Sequence, residues 1–115
     1  MKPTDAIRIS KKCKNIDGWL SQEATLLIAL IDEIQKKNNF NGNIFEIGVH
    51  HGKSAVLFSH LLGGEEILDV CDIFGDQTKN KSKSGDGNKE IFLNNINKYG
   101  KMKIGKIHHM LSNLP

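Results

Sequence analysis

Cysteine is scarce in this chain. There are two in 115 residues, Cys13 and Cys71, and they fit neither a C-x-x-C pair nor any zinc-ligand spacing. That argues against a disulfide framework and a zinc ribbon. Both are expected to be reduced thiols, with Cys71 buried as a small apolar residue. Arginine is limited to Arg8, and Tyr99 is the sole aromatic among the last twenty residues. A surface evolved to read or stack on bases needs more of both. No apolar run approaches the ~20 residues that span a bilayer. The first ten residues are too polar for a secretory signal. Membrane, secreted and fibrous classes fall away, and a cytoplasmic protein is expected.

What is present suits one globular domain. The chain is 38% hydrophobic and 25% charged, an ordinary balance. Its length allows a single domain over 1–115, with 1–20 as a lead-in. The net charge of +3 is unevenly spread: between Gln77 and Lys106 eight lysines stand against two acids, Asp86 and Glu90. Contact with nucleic acid is one reading of that stretch. A solvated face is the other, and the shortage of arginine and aromatics favours it. There is no internal repeat and no low-complexity segment.

Residues 1–18 show no clear period. Lys11, Lys12 and Lys14 suggest an exposed approach, and Asp17-Gly18 marks a turn. Ser21 reads as an N-cap, with Glu23 near the positive end of the helix dipole. Leu20, Ala24, Leu27, Ile28, Ile31 and Ile34 then recur at helical spacing, with Asp32, Glu33, Gln35, Lys36 and Lys37 on the other side. The pattern predicts an amphipathic helix of about four turns whose apolar side faces the core.

Residues 43–48 predict a short buried strand ending at a glycine, and 54–62 a second helix carrying Ala55, Val56, Phe58, Leu61 and Leu62. Ile67 to Cys71 predicts a second strand, and 75–87 a polar, lysine-rich loop. Asn88 to Tyr99 predicts a third helix with Ile91, Phe92, Asn95 and Ile96 inward, and Lys103 to Leu111 a third strand. Strands alternating with helices call for a parallel sheet with right-handed crossovers. The fold class is α/β, as in one mononucleotide-binding half of a doubly wound sheet.

The most informative segment is Phe45-Glu-Ile-Gly-Val-His-His-Gly-Lys-Ser54, a strand, a turn and a helix start. In open α/β sheets ligands bind at that place. Gly48 lets the chain turn sharply, and Gly52 has no side chain to block a ligand from the backbone. The helix after it presents free N–H groups. A dinucleotide fingerprint needs G-x-G-x-x-G, and this turn has G-x-x-x-G. A P-loop needs four residues between its glycines, and Gly48 to Gly52 encloses three. Glu46 adds a carboxylate two residues before the first glycine, which repels a pyrophosphate and attracts the ammonium of S-adenosylmethionine. Its alternative is a strand-end carboxylate paired with a lysine. Asp72 ends the second strand about twenty residues after Gly52, placed to accept from ribose hydroxyls; its alternative is a loop cap.

These residues resemble the class I S-adenosylmethionine-dependent methyltransferases, nearest the branch whose first motif reads E-I-G-x-x-x-G-K-S. The resemblance runs from Gly18-Trp-Leu-Ser21 onward and includes Asp72-Ile-Phe74, Asp76-Gln77, Asn80 and Ser84-Gly-Asp-Gly87. It implies a three-layer Rossmann-like sheet with S-adenosyl-L-methionine as cofactor. The methionine part would lie on Glu46, Gly48, Val49, His50, Gly52 and Ser54. The ribose would lie on Asp72, and the adenine beside Ile73 and Phe74, with Ser112 after the third strand as a weaker match. The family sheet has seven strands, and this chain supplies three. The expectation is therefore a cofactor-binding half cut short after the third strand, with a small-molecule acceptor, such as a sugar hydroxyl, and a catalytic base both unidentified. The first strand would be left as an open apolar edge, inviting a homo-oligomer or a partner chain. A non-catalytic remnant or interaction module pairing through that edge is the competing class.

Of the remaining residues, His108-His109 suggest no shared metal site, because neighbours on a strand point to opposite faces, and His50-His51, in the turn, have no carboxylate partner at ligand spacing. His60 and Lys53 read as surface residues, and Trp19 as a packing residue over the sheet.

Overall fold

Capping chemistry sets the helix starts. In a computed structural model describing residues 1–75, 87–101 and 103–109, the elements are α1 (Pro3–Lys12), α2 (Gln22–Lys37), β1 (Ile44–Ile47), α3 (Lys53–Leu61), β2 (Leu68–Asp72), α4 (Lys89–Tyr99) and β3 (Ile104–His109). Ser21 caps α2 by accepting from the Ala24 amide at 3.1 Å. Asn88 caps α4 the same way, accepting from the Ile91 amide at 3.0 Å. The expected order of helices and strands from α2 onward is the observed one. Most of the 75–87 loop, including Asp76, Asn80 and Ser84, and also Ser112, lie outside the described residues.

The three strands are parallel in the order β1-β2-β3, so β2 is central and β1 is an edge among the described residues. Ile44 pairs with Leu68 and Glu46 with Val70. The β2–β3 register shifts between Leu68 and Val70. Asp69 sits in that irregularity and accepts the Lys106 amide at 2.6 Å.

One face of the sheet is sealed. Leu68 and Val70 join Val56 and Leu57 of α3, Phe92 and Ile96 of α4, and Ala6 and Ile9 of α1 in one core cluster. The other face carries Phe45, Ile47 and His108, with the rings of Phe45 and His108 edge-to-face at 6.1 Å. Phe45 and Ile47 are half-exposed. Helices on this second face, the third layer expected from the sequence, are not among the described residues. No described helix is long and apolar enough to cross a membrane.

Three local expectations are corrected. The first concerns residues 1–18, which are not a patternless lead-in. They contain α1, started by a proline and closed by Lys11 and Lys12 in its last turn. Ala6 and Ile9 form its buried side, and Cys13 and Ile16 just after it are buried too. Lysines between these positions hide their helical spacing. The second concerns α2, which is rotated from the expected facing, although Ile28 and the preceding Leu20 do pack against the core as expected. It buries Thr25, Ala29 and Asp32, while Leu27, Leu30, Ile31 and Ile34 stay 46–56% exposed. The small residues Thr25 and Ala29 let α1 approach closely. Asp32 is compensated by the Met1 amine and by Lys36 at 2.9 Å, and the same Lys36 reaches the Leu61 carbonyl at 2.9 Å. The third concerns Ile91, which stands on the exposed side of α4 rather than inward.

Candidate functional site

The turn after β1 is held at three points. Gly48 (φ +81°) donates its amide to the Cys71 carbonyl at 2.8 Å, which ties the strand end to β2. His50 takes a left-handed φ of 51°, uncommon for a residue with a side chain. Its amide donates to Asp72 Oδ2 at 2.7 Å, which holds the residue there. From α4, Asn95 Nδ2 donates to the His51 carbonyl at 2.8 Å. Gly52 (φ +91°) then starts α3, its carbonyl accepting the Val56 amide at 2.9 Å.

The two glycines serve different ends. A Cβ on Gly48 would meet nothing within 4 Å, so the backbone there faces open space. A Cβ on Gly52 would lie 2.9 Å from Phe92 Cδ2. The expectation that Gly52 clears a path for a ligand is corrected: its missing side chain makes room for the Phe92 ring and lets α4 close on the turn. Gly48, read from the sequence only as a sharp turn, has the open space that was assigned to Gly52.

Glu46 is the unusual charge. It sits on the sealed face of β1, and one carboxylate oxygen accepts from Ser54 Oγ. The other, Oε2, is buried without a hydrogen-bond partner among the described residues. Burial pushes its pKa up to about 7; the Ser54 hydrogen bond opposes this and the nearby Asp72 charge adds to it. No lysine pairs with it among the described ion pairs, so the strand-end salt bridge weighed from sequence is not formed. Such a carboxylate gains most from a ligand that brings positive charge or a donor to Oε2.

Asp72 stands where expected, at the end of β2. Both of its oxygens are engaged by backbone, Oδ2 by His50 and Oδ1 by the Phe74 amide at 2.6 Å. It braces the turn, and each oxygen keeps a further lone pair for a donor. Ile73 follows half-buried, its carbonyl accepting from His109 Nε2 at 3.0 Å. Phe74 is a correction. It is buried, its ring 5.8 Å from that of Phe92 and 5.5 Å from that of His109. A ring packed into the core has no open face for adenine.

Glu46, Gly48, Val49, His50, Gly52, Ser54 and Asp72 therefore gather at the carboxyl ends of β1 and β2. Val49 contributes backbone, because its side chain is in the core. Beside the turn lies a cleft of about 60 Å³, walled by Asp17, Gly18 and Trp19 on one side and by Gly48, Val49, His50, Lys53 and Ser54 on the other. Trp19 is corrected too. It does not pack over the sheet; it is 82% exposed, with its ring 5.6 Å from that of His50. Lys53 is half-buried beside Gly18, and His60 joins α3 to the end of α4 through the Tyr99 carbonyl at 2.7 Å. Sequence reasoning missed Asn95 and Phe92 as supports of the turn. Their only signal was an inward place on α4, which does not say what they touch. Comparison with models of known families, with curated proteins and with solved structures found no match.

Proposed function

We propose that this chain is the S-adenosylmethionine half-site of a class I methyltransferase, built on a Rossmann-like sheet and working in the cytoplasm. The observation that carries the reading is Glu46, a buried carboxylate with one unpartnered oxygen beneath a turn whose Gly48 faces open space. A methionine ammonium would supply the missing donor and charge, directly or through one water. Gly48, Val49 and His50 would offer backbone to the same part of the ligand. Asp72 would use its remaining lone pairs for ribose hydroxyls. The cofactor brings an electrophilic methyl group on sulfur, and the protein's share is to align a small-molecule acceptor with it. A further strand of such a sheet would pair on the open edge of β1.

The test is calorimetric titration with S-adenosylhomocysteine, with circular dichroism to verify folding. Micromolar binding is expected, weakened at least tenfold by Glu46→Ala combined with Asp72→Ala. Intact binding by a folded double variant would sink the reading. The second reading, an interaction module without catalysis, is favoured by the half-exposed Phe45 and Ile47 on the bare sheet face. No binding by the folded natural chain would put that reading first.

A further inference from the structure

Helix α2 presents four of its large apolar residues, Leu27, Leu30, Ile31 and Ile34, away from the domain. Successive residues turn by about 100°. Thr25, Ala29 and Asp32 thus share one side, which is buried. Leu27, Leu30, Ile31 and Ile34 lie on the opposite side and are half-exposed. Single exposed leucines are normal, but a four-residue stripe at i, i+3, i+4, i+7 is the signature of a helix face that meets another surface.

The charges at the ends of the stripe name the occupant. Glu23 lies in line with it in the first turn of α2, and Lys37 lies in line with it in the last. A second α2 laid antiparallel, with the two-fold axis between Leu30 and Ile31, sets Leu27 against Ile34 and Leu30 against Ile31. Each pair occurs twice. The same placement brings Glu23 of each copy to Lys37 of the other, and opposes the two helix dipoles favourably. A two-fold contact must be self-complementary, and this stripe is so in shape order and in charge. We infer that α2 is the seam of a dimer formed with a second copy of this chain. The seam does not involve the β1 edge and does not depend on the proposed cofactor site.

Sedimentation velocity over roughly 5–200 μM tests it, a range suited to a contact built on one helix pair. The natural chain should pass from monomer to dimer across that range. Leu30→Glu should abolish the dimer without changing the circular dichroism spectrum, because Leu30 is half-exposed in the monomer. Leu30→Gln serves if that variant does not fold. Glu23→Lys and Lys37→Glu should each weaken association roughly tenfold through like charges at both ends, and their combination should restore it. A natural chain that stays monomeric throughout overturns the inference. So does a dimer that survives Leu30→Glu, since that dimer would be held elsewhere.

Discussion

The two ends of the Glu46–Gly52 segment's surroundings contrast with the α2 side of the molecule. Around the turn, each close approach is matched by a particular partner: Phe92 fills the space over Gly52, Asp72 holds the His50 amide, and Asn95 holds the His51 carbonyl. Along α2 the reverse holds. Thr25, Ala29 and Asp32 are buried, and Leu27, Leu30, Ile31 and Ile34 face outward. The difference separates two uses of apolar residues. Near the turn they create a rigid frame in which one buried carboxylate is left partly unsatisfied. On α2 they form a surface that gains only when something is added.

The contrast breaks first at Phe92. Phe92→Ala should cost about 3–5 kcal/mol in urea unfolding, as expected for a fully buried ring. In the natural background Gly52→Ala should cost about 2 kcal/mol or more, from the left-handed φ and the contact with Phe92 together. In the Phe92→Ala background the same change should cost only about 1 kcal/mol, because the contact is gone and the φ penalty remains. Fully additive costs would show that the ring does not occupy the glycine's space.

Glu46 comes next. Its pKa is pushed up to about 7 by burial, against an ordinary value of 4.5. The folded protein therefore holds this proton more tightly than the unfolded chain. The carboxylate's penalty is absent below the unfolded value, grows as pH rises from about 4.5 to 7, and is constant above. Glu46→Gln should stabilise the protein by roughly 2–3 kcal/mol at about pH 8 and have little effect near pH 4. Urea titrations at the two pH values measure it. Equal effects at both would mean that Glu46 is not buried as a lone carboxylate. The same linkage makes a cationic ligand bind more tightly at pH 8 than at pH 6.

The smallest effect belongs to α2. At concentrations where the chain is monomeric, Ile34→Ala should cost under about 1 kcal/mol, since its side chain is already half-exposed. A loss of 3 kcal/mol would place the stripe in a core and remove the contrast.

Much of the fold was legible beforehand. Alternating helix and strand patterns gave the order from α2 onward, and Ser21 marked the start of α2 where the structure has it. Glu46 and Gly48 were legible because a strand–turn–helix is written in consecutive residues, and Asp72 because it ends the next strand. Helix α1 was hidden because its buried positions include Ala6 and Cys13, which carry little apolar signal between lysines. The facing of α2 was hidden because periodicity identifies an apolar side but not what lies against it. The role of Gly52 was hidden because Phe92 is forty residues away in the chain.

By itself the sequence determined the local matters: where helices start and stop, that the strands are short and apolar, and that a glycine turn follows a carboxylate. Hydrogen bonds within a few residues and side-chain periodicity decide these, and both can be read along the chain. Only the tertiary structure decided which side of α2 is covered, that Phe92 needs Gly52, that Phe74 turns into the core, and that Oε2 of Glu46 is buried without a hydrogen-bond partner among the described residues. Those depend on contacts between distant segments, where burial sets the energy of a charge and close packing sets which residue fits.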